Sequence, residues 1–345
     1  MGLQFKDLVV REEVTIKDFH GKVLAVDASN ILYQFLTTIR GSDGYVLTDA
    51  QGRVTSHLIG LFSRATSLME QGLKLVFVFD GKAPEIKKKT WEKRTKVKTD
   101  ATLLLQEAEA ARDIAGMRKY SRQTAVLTRD MVNDAKRVVT ALGLPVVQAP
   151  SEGEAQATYM VTQGDAFATV SQDYDNLIFG CQRLIRNLSL DGKRKKKGTF
   201  GFIKIKPEII FLKDVLTHLQ ITQDQLIVLA ILIGTDYNPG GVKGIGPKTS
   251  LKLVKEHKDN FDTLFDVVEW KKQYPDLEWR TVFDIIKNIP VTDEYSLEWK
   301  KIDEGGLIHL LVKEHGFSEE RVRTKLEKLK KGQHGLNQKG LQNFF

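Results

Sequence analysis

Hydrophobic residues in this chain gather in short runs, separated by longer stretches with helical spacing. Four runs, at residues 23–26, 75–79, 145–149 and 166–170, are too short for helices and rich in Val and Phe. With helical patterns between them as crossovers, they predict buried strands of a mostly parallel central sheet flanked by helices, an α/β fold. Between the second and third runs, roughly residues 83–142, the chain is polar and helix-prone with a sparse apolar stripe. That is too long for an ordinary crossover, and reads as an excursion from the core, a lid or arch; a plain helical insertion is the alternative. From Asp224 onward the pattern is helical, and QLIVLAILIGTDYNPGGVKGIGPKTSLKLVKEH reads as helix, glycine-rich hairpin, helix. After Lys330 the sequence turns polar and glycine-rich, which predicts a disordered tail, yet it closes on two phenylalanines.

Carboxylates fall where these elements end. The first strand run is followed by Asp27 and the second by Asp80. The third leads to Glu152 and Glu154, and the fourth to Asp173 and Asp175. The apolar stretch 226–234 is followed by Asp236. In an open parallel sheet, ligands bind beyond the carboxyl ends of the strands, so parallel neighbours would bring the strand-end acids to one rim, with Asp236 joining from the helix. Each acid also has a structural reading. Asp27 suits a helix cap, Ser151 with Glu154 fits a capping box, and Asp173 or Asp175 suits a turn. Taken together, five segments ending in carboxylate favour a shared role. Crowded carboxylates must take up protons or hold cations between them. Oxygen donors without Cys or His suit Mg²⁺ or Mn²⁺, and this many acids suit a pair of ions about 3.5–4 Å apart, able to activate water and stabilise a leaving oxygen in phosphodiester hydrolysis.

Composition narrows the setting. The longest strongly apolar stretch, 226–234, falls far short of the roughly 20 residues of a bilayer span. MGLQFKDL lacks a signal-peptide core, and Lys6 breaks the myristoylation pattern. Cys181 is the only cysteine, which excludes an intrachain disulfide and a cysteine-based zinc site. The expectation is a soluble intracellular protein, in the cytoplasm or chromosome-associated. The net charge of +8 is unevenly spread. Between residues 87 and 98, Lys87, Lys88, Lys89, Lys93, Arg94, Lys96 and Lys98 face one acid, Glu92, and KRKKK occupies 193–197. A solvated surface is one reading; a phosphate-neutralising surface for nucleic acid is the other. The hairpin GGVKGIGPKT nearly matches a P-loop, but Pro247 interrupts it and a helical pattern precedes it. Its glycines, Gly244 and Gly246 among them, would offer backbone N–H groups to a duplex phosphate, supported by Lys243 and Lys248.

The segments VLAVDASNILYQFL, VFVFDGKAPEIKKK, APSEGEAQA, SQDYDNLIFG and IGTDYNPGGVKGIGPKTSLKLV resemble the signature blocks of the flap endonuclease family of structure-specific 5′ nucleases, in order and over nearly the whole chain. The resemblance implies a 5′-nuclease, PIN-like fold with a helical arch and a helix-hairpin-helix-type DNA-binding element. It implies metal-dependent cleavage near the junction of a 5′ flap with duplex DNA, with 5′–3′ exonuclease activity, in Okazaki fragment maturation and DNA repair. It also implies one metal among Asp27, Asp80, Glu152 and Glu154, and a second among Asp173, Asp175 and Asp236. Lys87 and Arg94 match the two basic residues at the base of the arch, which steer the scissile phosphate. Tyr33 matches an aromatic on which a base stacks, with simple packing of an amphipathic helix as the alternative. Arg40, Arg64 and Gly234 match DNA-contacting positions, and Gly2 matches the N-terminal glycine exposed once Met1 is removed. Gln338, Leu341, Phe344 and Phe345 match the box that binds a sliding clamp, PCNA. The chain ends at Phe345, which makes it look more like an archaeal member.

The resulting organisation is a nuclease region over 1–98, part of the arch or a linker over 99–115, and a second nuclease region with the hairpin over 116–258. A helical region over 259–330 and a flexible clamp-binding tail over 331–345 complete it. The expected partners are flap and nicked DNA and the clamp, with no membrane, and the protein a monomer. Two rivals use the same residues. A phosphatase would take Asp173 and Asp175 as nucleophile and acid, leaving five acids surplus. A non-catalytic adaptor would bind DNA without cutting it.

Overall fold

The computed structural model describes residues 5–188, 193–195 and 202–342, with side chains described for all of these except 89, 91, 93, 193–195, 202–204 and 333–342. Gly2, Phe344 and Phe345 lie outside the described residues, as do the side chains of Gln338 and Leu341. The strands among the described residues are β1 (Glu12–Glu13), β2 (Val23–Asp27), β3 (Lys74–Phe79), β4 (Val146–Gln148), β5 (Ala168–Val170), β6 (Arg183–Arg186), β7 (Lys193–Lys195), β8 (Phe202–Lys204) and β9 (Glu208–Phe211). The chain divides into two compact units. One comprises Met1–Val14, Asp80–Glu92 and Ala149–Asp293; the other comprises Thr15–Phe79, Lys93–Gln148 and Glu294–Phe345.

In the second of these units, β2, β3 and β4 are parallel, as predicted, with Asp27 opposite Val78 and Phe79 opposite Gln148. β2 and β3 are buried almost throughout and read as continuous apolar runs rather than as alternation, whereas β4 buries only Val147. Helix Arg129–Ala141 buries Ala135, Val138 and Val139. Its stripe corrects the expectation that the whole of 83–142 leaves the core: the last helix of that region is a packed crossover. The preceding segments differ. Helices Lys88–Ala110 and Ile114–Gln123 leave Val97, Leu103, Leu104 and Ile114 exposed. Helix Glu319–Gln342 continues through the stretch predicted to be a disordered tail. Lys, Gln and Leu, which favour helix, are interspersed with its glycines and carry the helical backbone across them.

The other unit mixes directions. β5 and β6 are parallel, while β9 runs antiparallel to both β6 and β1. The antiparallel part was not predicted, because RLIR and EIIF are only four residues long, the first with a charge at both ends and the second with one at its start. Helix Gln223–Ile233 crosses the middle of this unit. Thr222 and Gln225 close a capping box at its start. Residues 226 to 232 are all 2% exposed or less, so the helix has no polar face, and that explains its unbroken apolar sequence. Around it pack Leu177, Leu184, Ile210, Val254, Trp270 and Val282. No single helix among the described residues is long and apolar enough to cross a membrane.

Candidate active site

Six of the seven predicted acids lie in the unit built on β5 and β6: Asp80, Glu152, Glu154, Asp173, Asp175 and Asp236. Three backbone devices position them. Asp80 follows β3, and the next residue, Gly81, runs against the segment 149–151, with Gly81 N–H donating to Ser151 O at 2.6 Å and Lys82 N–H to Pro150 O at 3.2 Å. The contact requires a glycine: a Cβ at position 81 would stand 2.1 Å from Ala149 O. Asp80 Oδ1 then accepts from Gly153 N–H at 2.7 Å, which locks Asp80 to the start of helix Gly153–Gln163. That helix carries Glu154 in its first turn, and Glu152 is its N-cap without a side-chain cap bond. The S-x-x-E alternative thus does not hold. Glu154 Oε1 instead accepts from Ser171 Oγ at 3.3 Å, and Ser171 Oγ in turn accepts from Asp173 N–H at 3.3 Å. Asp175 opens helix Asp175–Ile178. Asp236 leaves the end of helix Gln223–Ile233, where Asn238, fully buried, accepts from Thr235 Oγ1 at 2.6 Å and donates to Ile231 O at 2.7 Å.

A lysine sits among these acids. Lys87 Nζ lies 2.8 Å from Glu152 Oε2 and 3.5 Å from Asp236 Oδ2, with 12% of its side chain exposed. The solvated-surface reading of the 87–98 cluster therefore fails at Lys87. Burial opposes its charge, but the Glu152, Asp236 and Glu154 carboxylates outweigh burial and hold its pKa above the ordinary lysine value. Burial pushes the Glu152 carboxyl up; Lys87 pulls it down, and repulsion from Asp80 and Asp236 adds to the rise, which wins. The second oxygen, Glu152 Oε1, is buried with no hydrogen-bond partner among the described residues. Tyr237 is buried beside them; burial first, then Glu152, Glu154, Asp236 and Asp175, drive its hydroxyl far above the usual tyrosine range. Such mutual influence marks a concentration of negative charge within one unit.

The crowding expected from sequence is not complete. Among the described residues, no group of three Asp, Glu, His or Cys side chains is arranged as a metal cluster. Like charges on separate segments repel, and the Lys87 ammonium draws Glu152 and Asp236 towards itself. Asp27 and Arg94 belong to the other unit. Asp27, 3% exposed, ends β2 and accepts from Asn30 N–H at 3.0 Å, so its capping alternative holds as geometry.

The XPG N-terminal domain matches residues 3–101, and the XPG I-region matches residues 143–236. Proteins named Flap endonuclease 1 from Pyrococcus abyssi and Staphylothermus marinus are 48% and 50% identical over 345 and 335 residues, spanning 100% and 96% of this chain and 98% and 95% of theirs. The chain belongs to the flap endonuclease family. Among solved structures, flap endonuclease-1 from Methanococcus jannaschii aligns at a TM-score of 0.75 and 40% identity, covering 96% of this chain and 98% of that one. The mixed α/β fold is thus a flap endonuclease fold.

Other residues singled out in this flap endonuclease sequence occupy varied settings. Tyr33 is 40% exposed on helix Ala28–Thr38. Arg40 donates to Gly44 O at 2.9 Å and Ser121 Oγ at 3.1 Å, and Arg64 is half-buried on helix Ser56–Glu70. The hairpin after Gly234 folds back onto its own helix through Val242 N–H to Leu232 O at 2.8 Å, and helix Pro247–His257 follows. Lys243, Gly244 and Lys248 are exposed and Gly246 caps that helix. Not all the turn's N–H groups face outward, however: Gly241 bonds Asn238 O, and Lys243 N–H bonds Gln273 Oε1 at 2.9 Å. Gln273 and Tyr274, which also donate to Gly241 O, were not legible as hairpin supports, since they lie some 30 residues away. Thr90 was likewise missed; its hydroxyl donates to Asp236 O at the start of helix Lys88–Ala110. Gly81 did leave a signal, as the residue after an acid at a strand end.

Proposed function

We propose that this protein is a structure-specific 5′ flap endonuclease, with 5′–3′ exonuclease activity, that hydrolyses phosphodiesters near the single-strand/duplex junction of flap and nicked DNA. The reading rests on the buried Lys87 ammonium held by Glu152 and Asp236 within an acid-rich site. Oxygen-only donors suit a hard divalent cation, and the buried Glu152 Oε1, without a hydrogen-bond partner among the described residues, is an acceptor such an ion would satisfy. Asp27, Asp80, Glu152 and Glu154 would hold one Mg²⁺, and Asp173, Asp175 and Asp236 a second, with Mn²⁺ as a substitute. Bound there, the ions supply an activated water and stabilise the leaving oxygen.

The chain's own residues do the rest. Lys87 meets the scissile phosphate as a preformed cation, since its neighbours keep it protonated, and stabilises developing charge; Arg94, on the helix that begins at Lys88, assists. Tyr33, with its exposed ring, stacks on a base near the cut. Arg40, Arg64, Gly2 and Gly234 contact DNA, and Lys243, Gly244, Gly246 and Lys248 grip a duplex phosphate without reading sequence. Gln338, Leu341, Phe344 and Phe345 dock a sliding clamp, which places the protein beside replicating DNA inside the cell. Labelled double-flap DNA across a Mg²⁺ titration tests the reading. Release of a discrete flap product that depends on Mg²⁺ is expected. Flap binding without cleavage at any Mg²⁺ concentration points instead to an adaptor, and a trapped phosphoenzyme points to a phosphatase.

A further inference from the structure

Lys87 has a third neighbour besides its two carboxylates. Its Nζ stands over the face of Tyr237, 5.2 Å from the ring centroid. Tyr237 is 3% exposed and its hydroxyl, buried, has no hydrogen-bond partner among the described residues. The ring is rigidly mounted: Tyr237 N–H donates to Thr235 Oγ1 at 3.1 Å, and Asn238 ties the same turn to helix Gln223–Ile233. Among the described residues the polar end of this residue forms no bond that explains its place, whereas its face meets the buried Lys87 ammonium.

We propose that Tyr237 is a positioning residue whose ring face seats the Lys87 ammonium for the substrate phosphate. This rests on the reading of Lys87 given above. An ammonium held by carboxylates alone is held only as long as they keep their charge to themselves. Once Glu152 and Asp236 share that charge with other cations, their grip on Lys87 weakens. The ring quadrupole is not neutralised in that way and attracts the ammonium without fixing its N–H directions. Lys87 thus keeps a desolvated seat while its three donors turn towards an incoming phosphate oxygen. The 3₁₀ turn Glu85–Lys87 and the helix beginning at Lys88 deliver the side chain from one side, and the turn at 235–238 delivers the ring from the other.

A double-mutant cycle with single-turnover cleavage of a double-flap DNA tests this. Tyr237→Leu is expected to slow cleavage about ten-fold with little change in flap affinity measured without divalent ions. Tyr237→Phe, which keeps the ring, is expected to lose at most about two-fold. In a Lys87→Ala background, Tyr237→Leu should cost almost nothing further. An NMR readout on the metal-free protein is independent of activity: the Lys87 side-chain methylenes should show an upfield ring-current shift that persists in Tyr237→Phe and disappears in Tyr237→Leu. Equal losses from Tyr237→Leu with and without Lys87 would overturn the proposal, as would a Tyr237→Phe variant as slow as Tyr237→Leu. Wild-type cleavage by Lys87→Ala alone would reject the catalytic role of Lys87 itself, and the ring-current shift would still report whether the ring seats it.

Discussion

At Gly81 a single hydrogen atom in place of a methyl group lets two acid-bearing segments touch. An alanine there would meet Ala149 O at 2.1 Å and the Pro150 carbonyl at 2.6 Å, both backbone atoms with little freedom to move. Gly81→Ala should cost about 1–3 kcal/mol through overpacking and part Asp80 from Gly153. Cleavage is expected to fall at least ten-fold while the melting temperature drops; wild-type kinetics would show that the approach is not needed. Asp175→Ala should abolish cutting yet largely preserve duplex binding, and a normal cutting rate would remove Asp175 from the second proposed metal site. The acids could be singled out because each follows a plain apolar run in the sequence within a few residues. Their partners were not. Ser171, Thr90 and Tyr237 are ordinary residues until packing brings them to Glu154, Asp236 and Lys87.

The hairpin is the element whose geometry depends most on what lies outside it. Gly241 has φ +59°, and a Cβ there would stand 2.2 Å from the Ile233 carbonyl group. Gly241→Ala should lift the hairpin off its helix, at a cost of at least about 1 kcal/mol for the left-handed backbone alone. Duplex affinity is expected to fall about ten-fold with a smaller effect on cleavage at saturating DNA. Filter binding and single-turnover rates measured on one preparation separate the two, and unchanged affinity would disconnect the hairpin from the duplex. The order helix, glycine turn, helix was readable from composition and periodicity. The clamp on the turn by Gln273 and Tyr274 was not, since neither residue carries a local mark of its partner. β6 and β9 were missed for a related reason: a four-residue strand is recognised by the strand it pairs with more than by its own sequence.

At the scale of the whole molecule, stability should carry the mark of a buried histidine. Burial, and next the nearby His315, pull the His57 pKa down to about 4 from an ordinary 6.5, against a smaller opposing hydrogen bond at Met131. The unfolded chain then binds the proton more readily. His57 contributes its full stability above about pH 6.5, and loses it as pH falls towards 4, by about 3 kcal/mol in all. Urea titrations from pH 7 to 4 should show this slope, and His57→Gln should flatten it; an equal slope in both proteins would discount His57. Removing residues 335–345 should spare intrinsic cleavage and abolish stimulation by a sliding clamp, and stimulation that persists would displace the clamp site from this segment. The amino-acid order alone marked the long apolar strands and the helix–turn–helix, that carboxylates follow those apolar runs, and that a basic stretch follows Asp80, because periodicity and end residues act over a few positions. Only tertiary structure decided that Lys87 stands on Glu152, 65 residues away, and over the ring of Tyr237. Distances between remote segments are set by close packing and by the cost of leaving buried charge unpaired, and neither is written in any one segment.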